Sequence, residues 1–143
     1  MVELIDNSTT KLTSVELTQL LSNNMLQKEF DFDQEEVERM INCLHNSGFR
    51  WGVDEADRNG DASNSLCWCL ERWLLGIILP STPGLAPQAI APFSGTYSLN
   101  ELEKWWGLLS KIKTHLLSLR VSKTCNEWSI QLLAILNDLF AIN

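Results

Sequence analysis

Three times along this chain a Ser or Thr stands three residues ahead of a Glu at the head of an apolar run. The three are Thr13-Ser14-Val15-Glu16, Ser98-Leu99-Asn100-Glu101 and Thr124-Cys125-Asn126-Glu127. This spacing lets the hydroxyl accept from the amide three residues on, while the carboxylate reaches back to the cap's own amide. A helix leaves its first four amides without internal partners, so a sequence that supplies those partners in advance favours helix there. The apolar residues behind the boxes agree. The first box predicts a short helix from Thr13 to about Leu21. The second is followed by Leu102, Trp105, Trp106, Leu109, Ile112, Leu116 and Leu119, and the third by Trp128, Leu132, Ile135, Leu136 and Leu139. Both runs recur at three- and four-residue intervals, which is one face of a helix.

Two more helices follow from other signals. Asp33 is placed as an N-cap, with Glu35 and Glu36 in a first turn where the macrodipole favours acids. Val37, Met40, Ile41 and Leu44 form its stripe, and Gly48 is placed to end it in a left-handed cap. Residues 66–79 are apolar on most sides apart from Glu71 and Arg72 and stop at Pro80, which predicts a central helix. Between these two helices, residues 54–65 are polar and turn-rich, a surface loop. Pro80, Pro83, Pro87 and Pro92 mark an extended connection over about 80–97. No segment alternates with period two and no repeat is visible. The expected fold is all-α, a five-helix irregular bundle over 1–143, forming a single domain or a domain fragment. The last stripe is still running at Leu139, Phe140 and Ile142. It reads as a truncated chain whose parent continues.

Apolar residues make up 45% and charged residues 20%, which excludes a disordered chain. A formal net charge of −7, with the eleven Lys and Arg scattered, argues against a surface that grips phosphate by itself. The first six residues carry acids where a secretory signal needs positive charge, and no apolar run reaches the roughly 20 residues of a membrane span. The expected compartment is the cytoplasm, with no membrane partner. Cys43, Cys67, Cys69 and Cys125 then read as small buried apolar residues rather than disulfides.

Chemistry is sparse. The phosphate-cradling, dinucleotide, zinc-protease and nucleophile-elbow motifs are all missing, and neither His45 nor His115 sits in a zinc spacing. Residues 55–66 imitate a calcium loop through Glu55, Asp57, Asn59, Gly60 and Asp61, but Leu66 stands where a bidentate Glu is required. No catalytic, cofactor-binding or metal-ligating residue is therefore assigned, and no activity is expected from this chain alone. One cluster stands out: Ser47-Gly48-Phe49-Arg50-Trp51-Gly52-Val53-Asp54. Gly48 and Gly52 bracket an aromatic–basic–aromatic triplet at a helix exit and permit positive φ. Such a cluster serves either as a nucleic-acid or partner contact or as a rigid turn pinning two helices. The rigid turn is the expectation, with Trp51 buried and Arg50 pairing with Asp54 or Asp57.

That octet resembles the S-G-I-R-W-G-x-D stretch of RecC subunits, the gamma chains of exodeoxyribonuclease V (the RecBCD helicase–nuclease). Leu70-Glu71-Arg72-Trp73-Leu74-Leu75-Gly76 resembles the L-x-R-x-L-L-G helix of that family, and Ile90-Ala91-Pro92-Phe93-Ser94 its L-P-Y-[DE] loop. Leu4-Ile5-Asp6 and the Thr13 helix resemble the approach to this region. The similarity is collinear and fades after about residue 110. This chain departs at Leu66, where the family has Trp, at Cys69 for its Gly, and at Ser94 for its acid. The resemblance implies an internal segment of a subunit built like a superfamily 1 helicase that has lost its ATPase residues. It further implies a role in double-strand-break repair, with the remainder of the subunit and the other subunits of the complex as partners. DNA would be met through the full complex, in which RecC subunits hold their partners, split the strands and scan for Chi. Gly48, Phe49, Arg50, Trp51, Gly52, Asp54 and Arg72 are the candidate structural or contact residues it implies; none matches a Chi-reading position. The alternative reading is a stand-alone all-α protein–protein interaction module, which the six tryptophans also fit.

Overall fold

A computed structural model describes residues 11–79 and 90–141. Within them the chain is all-helical, with α1 Ser14–Leu21, α2 Asn24–Glu29, α3 Gln34–Asn46, α4 Leu66–Ile78, α5 Leu99–Leu119 and α6 Cys125–Phe140. The expectation of five helices is thus corrected to six among the described residues. The helix added is α2. Asn23 caps it, its side-chain oxygen accepting from the amides of Met25 and Leu26. At six residues it is too short to show a stripe, and too short to hold alone in water. It exists because it packs on α1 and α6, burying Leu26. Pro80, Pro83, Pro87, Leu4-Ile5-Asp6 and Ile142 lie outside the described residues; Pro92 lies within them.

All three capping boxes form. At Ser98 the amide donates to Glu101 Oε2 at 2.9 Å, and at Thr124 the equivalent bond to Glu127 is 2.7 Å. The Glu101 and Glu127 carboxyls are held below the usual carboxylate range, chiefly by those amide donors.

The core runs through every helix. α4 packs on α5, α5 on α6, and α1 on α3. Trp73 and Trp105 are the largest fully buried side chains, with Phe49, Met40 and a set of leucines around them. Three expectations are corrected here. α4 is not central on all sides: it buries Leu66, Cys69, Leu70 and Trp73 and leaves Leu74, Ile77 and Ile78 exposed. Trp106 faces outward, since its neighbour Trp105 takes the core-facing position and adjacent residues on a helix do not share a face. Only Cys43 and Cys69 are buried; Cys67 is half-buried and Cys125, in the first turn of α6, is exposed. Burial pushes the Cys43 thiol up to about 12 and the Cys69 thiol up to about 11, which keeps both protonated and unreactive.

Charged residues stitch the outside. Arg39 of α3 meets Glu101 at 2.7 Å, and Lys104 of α5 meets Glu36 at 3.2 Å, joining α5 to α3. His115 Nε2 of α5 lies 3.0 Å from Asp138 Oδ2 of α6. No helix among the described residues is long and apolar enough to cross a membrane.

Candidate functional site

The octet at 47–54 begins where α3 ends. The amide of Phe49 donates to the Leu44 carbonyl at 3.1 Å, and that of Gly48 to the His45 carbonyl at 3.1 Å. These two bonds close a Schellman turn, which needs a left-handed residue at its centre. Gly48 supplies it, with φ +99°. The apolar contact that accompanies such turns is here made by Phe49, only 2% exposed, with Leu44 buried in the same core.

From there the chain runs as a thread through three other segments. The Arg50 carbonyl accepts from Ser14 at 3.1 Å, and the Arg50 amide donates to Asn64 at 3.0 Å. The amide of Gly52 donates to Leu12 at 2.6 Å, and its carbonyl accepts from Leu66 at 3.0 Å. Trp51 and Thr13 form an isolated antiparallel bridge, so no strand develops among the described residues. Asn64 adds a side-chain bond, Nδ2 to the Gly48 carbonyl at 2.6 Å. Gly52 has φ +84°, and a Cβ there would sit 3.0 Å from Cγ of Arg58. The positive φ strains any larger residue there, and a side chain would also have to push the Arg58 and Asp57 side chains aside.

The two aromatics divide the work differently from the sequence expectation. Phe49 is the core residue, while Trp51 is half-buried and lies under two cations, Arg58 at 4.4 Å and Lys11 at 4.9 Å from its ring centre. Arg58 also donates from Nη1 to the Trp51 carbonyl at 3.2 Å. Arg50 is exposed and does not reach Asp54 or Asp57. Those acids belong to Arg120 at the end of α5. Its Nη1 lies 3.0 Å from Asp54 Oδ1, and its Nη2 lies 2.6 Å from Asp57 Oδ2. Asp57 Oδ2 also accepts from the Val53 amide at 2.6 Å. Both carboxylates are engaged by Arg120, and Arg50 is left in solvent.

Arg72 completes the site. One edge of its guanidinium, Nη1, donates to the carbonyl of Ser47, the C-cap of α3, where the helix dipole is negative. Another, Nε, donates to Ala91 at 2.8 Å. The guanidinium lies 4.7 Å from the Trp68 ring centre and 5.8 Å from that of Phe93. One side chain thus joins α3, α4 and the segment leading to α5.

Sequence reasoning singled out Gly48, Phe49, Arg50, Trp51, Gly52, Asp54 and Arg72, and all except the Arg50 side chain converge on this junction. It missed Lys11, Arg58, Asn64 and Arg120. Arg120 lies 66 residues from Asp54, and no local spacing signals such a pair. The acids of the imitation calcium loop are engaged in part: Asp57 with Arg120, and Asp61 with the Ser63 amide at 2.9 Å. Among the described residues no three His, Cys, Asp or Glu side chains come together to hold a metal. A mostly apolar groove of about 310 Å³ lies nearby between α1 and α3, lined by Val15, Leu17, Thr18, Ile41, Leu44 and Phe49 among others. The junction offers packing, carbonyl capping and charge pairing, and no paired nucleophile and base.

No curated protein matches the chain in sequence. Residues 1–143 do match the family described as RecBCD enzyme subunit RecC fourth domain. That match continues past residue 110, where the motif-by-motif resemblance fades. The chain belongs to the RecC fourth-domain family.

Proposed function

We propose that this chain serves as a non-catalytic structural domain of the RecC-type subunit of an ATP-dependent DNA helicase–exonuclease. Family membership carries the coarser part, a RecBCD subunit role in DNA repair and recombination. The finer part is that residues 1–143 act as one domain within a helicase-like, ATPase-inactive subunit of the cytoplasm. Its partners are the rest of that subunit and the other subunits, and DNA is engaged through the whole complex.

The observation that carries the structural reading is how the octet spends its groups. Its backbone bonds go to Leu12, Ser14, Asn64 and Leu66, and Asp54 is taken by Arg120. A surface that reads DNA keeps its amides and cations free for phosphate and base edges, whereas here the amides are spent on the chain itself and Arg120 on two carboxylates, leaving Arg50 as the octet's one exposed cation. A second support is the outer face of α6, where Ile130 and Leu133 are 61% and 56% exposed. Apolar side chains left bare on one helix face fit a domain that packs inside a larger subunit.

The test is made in the assembled complex, with Phe49→Ala and Arg72→Ala placed in the parent subunit. The expected outcome is less complex recovered, with ATP turnover and strand cleavage per assembled complex unchanged. Normal recovery combined with loss of strand processing would sink the structural reading and favour a DNA-contact role.

A further inference from the structure

Gly76 sits inside α4, where glycine costs a helix roughly 1 kcal/mol relative to alanine. Its φ is ordinary for a helix, so left-handed geometry does not explain it. Space does: a Cβ at Gly76 would lie 1.8 Å from the Phe93 carbonyl oxygen. The backbone at Phe93 is seated directly on the bare helix. Its amide donates to the Arg72 carbonyl at 3.0 Å, in the last turns of the same helix. Trp68, Arg72 and Gly76 follow one another at intervals of four and so form one stripe of α4. Residues 91–93 lie on that stripe.

What holds this segment is narrow. Between 90 and 98 no residue is fully buried. The attachments are the two backbone carbonyl and amide bonds to Arg72, the stacking of Phe93 near its guanidinium, and an edge-on contact of Tyr97 with Trp105 at 5.3 Å. Phe93 and Tyr97 pack against the edge of the core and are only partly buried, while Cys69, Leu70 and Trp73 of α4 are buried at other positions than the Trp68–Arg72–Gly76 stripe.

We infer that residues 90–97 form a strap that undocks from the Trp68–Arg72–Gly76 stripe of α4 while the helical bundle stays folded. Segments with few buried apolar contacts open at free energies well below global unfolding. The undocked state bares the Trp68 indole and frees the Nε edge of Arg72, whose Nη1 stays on Ser47. It presents a cation beside an aromatic ring on a helix whose next turn already exposes Ile77 and Ile78. The inference rests on the packing of this chain and stands apart from its role in a larger subunit.

Hydrogen–deuterium exchange on the intact protein tests it, read at the Phe93 amide against the Trp73 and Met40 amides. The expected result is exchange at Phe93 at least about 100-fold faster than at those core amides, the ratio for a local opening near 3 kcal/mol below global unfolding. Gly76→Ala should then speed Phe93 exchange by a further tenfold or more while core amides exchange no faster and the melting temperature holds or rises. Phe93→Ala, which adds no Cβ clash, should act in the same direction. Core-like protection of Phe93 in the parent protein overturns the strap. So does a Gly76→Ala variant in which Phe93 and core amides lose protection together.

Discussion

Two connections leave helices in this molecule and are built in opposite ways. The junction after α3 uses its backbone: five main-chain bonds tie residues 49–53 to the α1 approach, to Asn64 and to α4, with Phe49 buried beneath. The strap before α5 has one main-chain bond, from the Phe93 amide to the Arg72 carbonyl, and otherwise relies on side chains: one arginine, two aromatics and a glycine that makes room. Backbone bonds inside a packed site join it to the cooperative unit of the core, so the junction is expected to open with the bundle. A segment held by a single main-chain bond and a few partly buried side chains can let go alone. Irregular structure therefore does not mean loose structure; what decides is where the backbone donors and acceptors go.

The largest expected break of that contrast is Phe49→Ala. Emptying a fully buried aromatic site costs about 3–5 kcal/mol, and chemical denaturation should show a matching drop in unfolding free energy with the strap's amide protection lowered no further than the core's. Arg72→Ala comes next, because it strikes both connections. Loss of charged hydrogen bonds to the Ser47 and Ala91 carbonyls should cost roughly 2–3 kcal/mol. Arg72→Lys should recover only part, since an ammonium cannot serve both carbonyls and stack on Trp68. Full recovery by lysine would show that charge alone, rather than the guanidinium fork, joins the two regions.

Trp51→Ala should cost less than Phe49→Ala, about 1–2 kcal/mol, as a half-buried ring under two cations. Arg50→Ala should fall within about 0.5 kcal/mol, as at other exposed positions without partners. Thermal melts of the four alanine variants rank them, and a Trp51 effect equal to that of Phe49 would remove the division of labour between the two aromatics.

The smallest effect concerns pH. Glu101 and Glu127 titrate lower folded than unfolded, so their contribution is complete above the ordinary carboxylate pKa. It fades as the pH falls through the lowered folded value. Acidification should therefore raise amide exchange at Ser98 and Thr124, corrected for intrinsic rates, before it affects the α3–α4 junction. Protection that is unchanged down to the onset of unfolding would show the boxes contribute nothing measurable.

Much of this was legible from residues alone, and for stated reasons. The three capping boxes, Asp33 as a cap and Gly48 as a left-handed stop are local devices, complete within about six residues, so sequence contains all of their physics. The stripes of α3 and α5 likewise marked the inward faces, apart from Trp106, and the glycine-bracketed octet marked the place where segments meet. Other features required the assembled chain. α2 is stabilised by the helices it rests on, Arg120 finds Asp54 and Asp57 only after α5 has packed, and which ring of the Phe49–Trp51 pair is buried depends on the direction the chain leaves Gly48. Gly76 is the clearest case: within a helix it reads as a flaw, and only the arrival of the Phe93 carbonyl, 17 residues away in the chain, makes its missing side chain necessary. Short-range hydrogen bonding is written in neighbouring residues; long-range contact depends on the positions of whole helices, and no local spacing encodes those.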